Sequence, residues 1–375
     1  MNNRLVKFFI IAGEPSGDLH GGKLIKALKK LELQISFIGH GGDSMKNEGM
    51  KIVKHINDLS IMGFFEIIKH LPRMIMIMNK TVKLIRKLQP DRIILIDYPG
   101  FNLRLAKKIA NLKIPITYFI LPQAWAWKES RVEILKAVCD QAISIFPFEQ
   151  KWYQSKNYIV DYLGHPFMDR QHVQETTKSF YSRHNLEIDN PILVLLPGSR
   201  QQEVDRHWPI FDKTVKLLRI KIPNLQILIA KSPHVVLPKI SNDYKIEIDS
   251  HKAIITATVA LVASGTATLE CAIEDIPMVN CYKLSPISWK IAKTLIKIKY
   301  SSMVNLIAGE RIVPEILQND MTPNKIVSAL IPLFNKESEI RLKMLKEYSK
   351  IRESLGTPGF YNRAAELILT KTTIK

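Results

Sequence analysis

Short apolar runs alternate with longer stretches of helical period along nearly the whole chain. This is the pattern of an α/β protein whose parallel strands are buried on both faces. In the first half it predicts strands at Lys7–Ala12, Ile35–Ile38, Arg92–Ile96, Ile116–Ile120, Gln141–Ile145 and Ile159–Tyr162. Helices are predicted between them over Leu19–Leu31, Met74–Leu88, Leu103–Asn111 and Val132–Val138. A polar stretch, Asp169–Asn190, reads as a connection, after which strands restart at Ile192–Leu196, Gln226–Ile229, Val259–Val262 and Met278–Cys281. The tail from Ser338 to Thr370 is helical by pattern, with a break at Gly356-Thr357-Pro358-Gly359. Two consecutive Rossmann-like halves follow, residues 1–168 and 185–337. Helices at 338–375 are expected to pack back on the N-terminal half or on a partner subunit.

Composition narrows this picture in three ways. At 375 residues the chain has room for two domains, each with its own core. A hydrophobic fraction of 46% is ordinary for a globular protein and too low for a multi-span membrane protein. The three cysteines, Cys139, Cys271 and Cys281, lack any CxxC spacing, which fits a reducing, cytoplasmic compartment without a disulfide framework. Lys+Arg of 54 against Asp+Glu of 35 leaves a charge of +19, which implies something anionic to meet.

Two glycine-centred loops in the second half say what the anion is. Pro197-Gly198-Ser199-Arg200, with Glu203 one turn later, follows the run Ile192–Leu196. Ser264-Gly265-Thr266-Ala267-Thr268, with Glu270 behind it, follows Val259–Val262. Each reads as a buried strand feeding a tight turn that opens a helix, which aims free backbone N–H groups and a helix dipole at one spot. Arg200 adds a bidentate cation, and Glu270 is placed to accept from ribose hydroxyls. The pair reads as a nucleotide-diphosphate site. Neither loop is the GxxxxGK[ST] of P-loop NTPases.

The first half offers a different chemistry. Glu14, Ser16 and Asp18 in Gly13-Glu14-Pro15-Ser16-Gly17-Asp18 suit a hydroxyl-bearing ligand better than a pyrophosphate, though Asp18 also reads as a cap for the helix expected at Leu19. Asp97 closes the strand Arg92–Ile96, at the strand end where open parallel sheets bind ligands, and is placed to act as a general base, or else to cap the next helix. Trp125 and Trp127, expected at strand spacing beside Lys128 and Arg131, read either as core or as an apolar wall for a sugar or acyl chain. His165, in Gly164-His165-Pro166, ends the last strand of this half. Ile61–Met78 is the most apolar stretch, but Glu66, Lys69, His70, Pro72 and Arg73 interrupt it. With Lys80, Lys83, Arg86 and Lys87 following, it reads either as core or as an interfacial membrane contact without a span.

Seven separated motifs stand in the order of the lipid-A-disaccharide synthases. They are Gly13-Glu14-Pro15-Ser16-Gly17-Asp18, Ile96-Asp97-Tyr98-Pro99-Gly100-Phe101-Asn102, Gln123-Ala124-Trp125-Ala126-Trp127, Gly164-His165-Pro166, Leu196-Pro197-Gly198-Ser199-Arg200, Ala263-Ser264-Gly265-Thr266-Ala267-Thr268-Leu269-Glu270 and Asn305-Leu306-Ile307-Ala308-Gly309. The chain resembles that family from about residue 7 to about 335. The resemblance implies a GT-B glycosyltransferase fold, with two Rossmann-like domains facing a central cleft. It implies transfer of 2,3-diacylglucosamine from UDP to 2,3-diacylglucosamine 1-phosphate, giving the β(1→6) disaccharide and UDP. By the match, Asp97 falls on the family's essential aspartate, Arg200 on its nucleotide-side arginine and Asn305 on its Asn-Leu-Leu-Ala-Gly motif. Gly100 stands where other members carry a second Asp, and Pro15 where Ala is common. No cofactor or metal is implied, with helix dipoles and Arg200 taking a metal's place.

Both acylated substrates imply peripheral association with the cytoplasmic leaflet of the inner membrane; a homodimer is left open. A UDP-sugar 2-epimerase, or another GT-B sugar-nucleotide enzyme, is the alternative. A dehydrogenase would need GxGxxG after the first strand, and a nucleic-acid module an RRM, KH or zinc pattern; neither appears.

Overall fold

The computed structural model describes residues 5–31, 34–59, 64–170, 175–295 and 298–372, with backbone alone for 64–71 and 291. The chain forms two compact units, Met1–Asp169 with Gly356–Lys375, and Arg170–Leu355.

The first unit is built on strands β1 (Val6–Ile11), β2 (Ile35–Gly41), β3 (Lys51–His55), β4 (Arg92–Ile96), β5 (Ile116–Phe119), β6 (Gln141–Ser144) and β7 (Asp161–Tyr162). Its helices are α1 (Pro15–Lys29), α2 (Asp43–Asn47), α3 (Phe64–Leu88), α4 (Pro99–Ile109), α5 (Ala124–Trp127), α6 (Arg131–Val138) and α7 (Pro147–Gln154). All strands run parallel in the order β3-β2-β1-β4-β5-β6-β7. The unbroken apolar runs have a direct cause: Phe9, Ile11, Ile93 and Leu95 point to one face with α3, α4 and α6. Phe8, Ile10, Ile94 and Ile96 point to the other. Helices α1 and α4 begin at Pro15 and Pro99, four residues before the expected Leu19 and Leu103. A proline fits the first helical position, where no N–H is needed.

The second unit contains α8 (Thr177–His184), β8 (Ile192–Leu196), α9 (Gln201–Lys221), β9 (Gln226–Ala230), β10 (Lys245–Glu247), α10 (Ser250–Ile255) and β11 (Val259–Ala263). It continues with α11 (Thr266–Ile273), β12 (Met278–Tyr282), α12 (Pro286–Leu295), α13 (Met303–Ala308), β13 (Glu315–Leu317), α14 (Pro323–Phe334) and α15 (Glu339–Ser354). Its parallel sheet runs β10-β9-β8-β11-β12-β13. The stretch expected to be a plain connection holds α8. Thr176 accepts from Ser179 N to cap it, and Phe180 and His184 bury its inner face.

The tail divides between the units. α15 buries Met344, Tyr348 and Ile351 against α11, α13 and α14 of the second unit. α16 (Phe360–Thr370) lies on α1 of the first unit, placing Phe360, Ala364 and Ile368 in that core. The Asp169 carboxylate accepts from the Gly359, Phe360 and Tyr361 N–H groups, capping α16 from 190 residues away. Arg363 ties the same helix to the Leu163 carbonyl (Nη2···O 2.9 Å).

Candidate functional site

Both sheets change winding direction once: between β1 and β4 in the first unit, and between β8 and β11 in the second. At such a switch point the loops leaving the two central strands part to opposite sides and leave a crevice at the carboxyl ends. Every loop singled out for chemistry leaves one of these four strands, except the Trp pair, His165 and Asn305.

At the first switch point, Glu14 leaves β1 and Asp97 leaves β4. Asp97 and Tyr98 both hold left-handed backbone, φ 42° and 47°, a conformation non-glycine residues adopt at a cost of about 1–2 kcal/mol each. The surroundings hold them there. Asn102 Nδ2 and the Tyr118 hydroxyl each donate to the Asp97 carbonyl at 2.7 Å, and the Tyr98 hydroxyl donates to the Leu59 carbonyl at 2.9 Å. The Tyr98 ring lies over Gly13, where a Cβ would sit 2.2 Å from it, so only glycine fits.

Burial pushes the Asp97 carboxyl up to about 6, and the nearby Glu14 charge adds to this; the Tyr98 N–H and the Arg131 charge oppose it. The result is a carboxylate that is ionised at neutral pH yet more basic than an exposed one. Glu14 and Ser16 are exposed. Asp18 is not: its carboxylate accepts from the Gly42, Ser44 and Met45 N–H groups at 2.6–3.2 Å. It therefore caps α2 rather than α1, and we assign it no chemistry. Gly100 faces open space, so the absence of a second carboxylate there has no steric cause.

The tryptophans do not form one wall. α5 is a single helical turn, so Trp125 and Trp127 diverge instead of lining up as on a strand. Trp125 is buried and donates from Nε1 to Glu149 Oε1 at 2.8 Å; Trp127 is 46% exposed. Glu149 also accepts from the Ile145 and Phe146 N–H groups, and burial pushes its carboxyl up to about 7. His165 is buried between the rings of Phe146 and Phe167 and accepts from Phe167 N at 3.1 Å, locking a turn. Of the apolar stretch 61–78, residues 61–63 lie outside the described residues. Ile77 and Met78 are core, while Ile75 and Met76 are 52% and 50% exposed.

At the second switch point the loop after β8 is held from within. Glu203 accepts from Ser199 N (3.0 Å), Arg200 N (3.2 Å) and the Tyr282 hydroxyl (2.9 Å). Gly198 has φ 130°, and a Cβ there would lie 2.6 Å from the Glu203 Cβ. His207, whose pKa burial lowers, donates from Nδ1 to the Pro197 carbonyl and accepts from the Lys283 N–H at Nε2. Glu203 is thus occupied in shaping the loop, whereas the Arg200 side chain is 77% exposed with only a 3.7 Å approach to Glu203. After β11, the Gly265, Thr266 and Ala267 N–H groups have no partner among the described residues, and Gly265 again faces open space. Ser264 donates to the Ser301 carbonyl, and Thr268 to that of Gly265.

Two residues expected on the nucleotide are engaged elsewhere. Glu270 pairs with Arg170 at 2.8 Å. Asn305 is fully buried: its amide donates to the Val313 carbonyl and Glu315, and its carbonyl accepts from the Ile312 and Val313 N–H groups. All its capacity is used, so it clasps the segment before β13.

The family model for lipid-A-disaccharide synthetase matches residues 8–369. The lipid-A-disaccharide synthase of Myxococcus xanthus (strain DK1622) is 33% identical over 371 residues, 97% of each chain. This chain belongs to the lipid-A-disaccharide synthase family. A second relative of that name, from Gluconobacter oxydans (strain 621H), is 33% identical over 366 residues, 94% of this chain and 88% of its own. As a member of this family the chain is a glycosyltransferase.

Solved structures bear on the fold alone. The glycotransferase of kitacinnamycin superposes with TM-score 0.68 at 14% identity, covering 99% of this chain and 100% of its own. UDP-GlcNAc 2-epimerase from Neisseria meningitidis, bound to UDP-GlcNAc, gives 0.58 at 10%, covering 98% of each. The fold is GT-B. It is shared with epimerases, so the sequence relatives, not the fold, decide against the epimerase reading.

Proposed function

We propose that this lipid-A-disaccharide synthase homologue joins UDP-2,3-diacylglucosamine to 2,3-diacylglucosamine 1-phosphate by one inverting displacement. Asp97 carries the reading: it stands at the carboxyl end of β4 beside the switch point, held by Asn102 and Tyr118, and burial raises its carboxyl to about 6. Passing from an α-linked nucleotide sugar to a β-linkage needs one base on the acceptor hydroxyl, and a carboxylate of this basicity suits that task. The acceptor 6-hydroxyl gives its proton to Asp97 as its oxygen bonds to the donor's anomeric carbon. The bond to UDP breaks, and the diphosphate takes the electron pair. Glu14, beside it, keeps Asp97 basic. On the second unit, Arg200 and the free N–H groups of Gly265, Thr266 and Ala267 are the donors we assign to the leaving diphosphate. UDP release from UDP-2,3-diacylglucosamine tests this: it is expected to require the phosphorylated acceptor. Equal release without acceptor would point to hydrolysis or epimerisation instead.

Membrane association is proposed on narrower ground. Among the described residues no helix is long and apolar enough to cross a membrane. Extracting an acyl chain into water costs about 0.8 kcal/mol per CH₂, so contact with the bilayer surface is favoured. The exposed Ile75 and Met76 on α3, with Lys80, Lys83, Arg86 and Lys87 following on the same helix, are the face we assign to it. Each well-placed cation adds about 1 kcal/mol on anionic lipid. Sedimentation with anionic vesicles at low salt and release at high salt are expected. Ile75→Ser with Met76→Ser weakens binding about tenfold. A folded double variant that binds as tightly as the parent removes this face from the proposal.

A further inference from the structure

Beside Asp97 stands a cation that the proposed transfer does not use. Arg131 opens α6, and α6 packs on α4, the helix that follows Asp97. Its guanidinium lies 4.5 Å from the centroid of the Trp127 ring, and Lys128 Nζ lies 5.8 Å from the same centroid. Neither side chain makes a hydrogen bond or ion pair within the described chain. Other cations are neutralised by neighbours: Arg170 by Glu270, Arg183 by Glu175 and Glu247, Arg352 by Asp275. A partly buried guanidinium with five unused donors is costly unless something accepts from them. A guanidinium held over an indole keeps its planar fork of N–H donors for an acceptor, and that fork matches two oxygens of one phosphate.

Arg131 and Asp97 feel each other's charge but do not form an ion pair. A sugar with a reacting hydroxyl at one end and a phosphate at the other can engage both groups at once. Trp127, exposed and flanked by both cations, offers that ring an aromatic face.

We propose that Arg131, Lys128 and the face of Trp127 form the subsite for the anomeric phosphomonoester of the acceptor sugar. This rests on the acceptor reading given above. The subsite would make the enzyme select a sugar phosphate over the free sugar, and would hold its far hydroxyl at Asp97.

The test compares 2,3-diacylglucosamine 1-phosphate with the same sugar lacking the phosphate, as acceptors for the parent, Arg131→Ala, Arg131→Lys and Lys128→Ala. The ratio of their kcat/KM values is expected to fall about 10- to 100-fold in Arg131→Ala, the usual worth of hydrogen bonds to a charged group. A smaller fall is expected in Lys128→Ala, and partial retention in Arg131→Lys. Calorimetry with glucosamine 1-phosphate should lose its signal in Arg131→Ala while UDP affinity stays within about twofold. An equal loss on both acceptors would overturn the proposal, because Arg131 would then act through Asp97 and shift the acid limb of the pH profile. Weakened UDP binding would overturn it too, by moving Arg131 to the leaving group. Should Arg131→Ala not fold, Arg131→Lys against the same two acceptors decides. A parent enzyme that forms no disaccharide refutes the transfer reading, whereas an active parent with an unchanged ratio in the variants refutes only this subsite.

Discussion

Asp97→Asn is expected to cut turnover by about 100-fold or more while making the protein more stable at neutral pH. The loss follows from removing the base, since the amide keeps the shape and the backbone contacts of Asp97 but cannot take a proton. The gain follows from the same burial that makes Asp97 basic. Its pKa lies near 6 in the folded chain against an ordinary 3.8, so the folded state holds a proton between those values that the unfolded state has released. Stability from this residue is therefore present in acid and lost as pH rises through about 6. Above that, the ionised carboxylate costs about 1–3 kcal/mol, at 1.4 kcal/mol per unit discounted for partial solvent contact.

Denaturant midpoints for parent and variant should coincide near pH 4 and separate above pH 6, with the variant higher. Parental activity should fall through an acid limb near 6, since only the ionised form accepts a proton. The charges that set this limb are Glu14, which raises it, and Arg131, which lowers it. Activity within tenfold of the parent would transfer the base role to Glu14. Asp18, tied to three N–H groups of the α2 turn, is not available for it.

What could be read from the chain beforehand depended on burial of one kind. Phe8–Ile11, Ile192–Leu196 and Val259–Val262 lie in strands covered on both faces, so their apolar runs are unbroken and visible. β3 was not visible, because Lys51, Lys54 and His55 sit on a sheet edge where polar residues are tolerated. β10 and β13, at three residues each, are too short to carry a period.

The site divides in the same way. Asp97 directly follows a strand end and Arg200 closes the turn after another, both turns marked by Gly and Pro, and strand ends are legible. Glu149, His207 and Glu315 are buried polar groups whose partners lie elsewhere in the chain: Trp125 for the first, Lys283 for the second, Ser301 and Asn305 for the third. No local pattern announces such pairings. Asn305 is the converse case: its motif points to chemistry, but its amide is consumed by the Glu315 carboxylate and the backbone before β13.

Arg200→Ala is expected to lower kcat/KM by about 30- to 1,000-fold, equivalent to 2–4 kcal/mol of transition-state stabilisation. The structure makes this substitution unusually clean. The loop that carries Arg200 is shaped by Glu203, Tyr282 and His207 and by the left-handed Gly198, not by the Arg200 side chain. A 77% exposed side chain with one loose approach to Glu203 adds little to folding, so the unfolding midpoint should move by no more than about 0.5 kcal/mol. The loss then reports on the charge that builds up on UDP as it leaves. Arg200→Lys should recover only part of it, because an ammonium supplies the charge without the two-pronged hydrogen bond. Glu203→Gln gives the contrasting signature: its amide no longer meets Ser199, Arg200 and Tyr282 together, so stability and activity fall in step. Arg200→Ala within threefold of the parent would mean that the Gly265–Ala267 turn carries the diphosphate alone. A lowered midpoint in Arg200→Ala would instead show that the side chain helps build the loop, and its effect on rate could no longer be assigned to the leaving group.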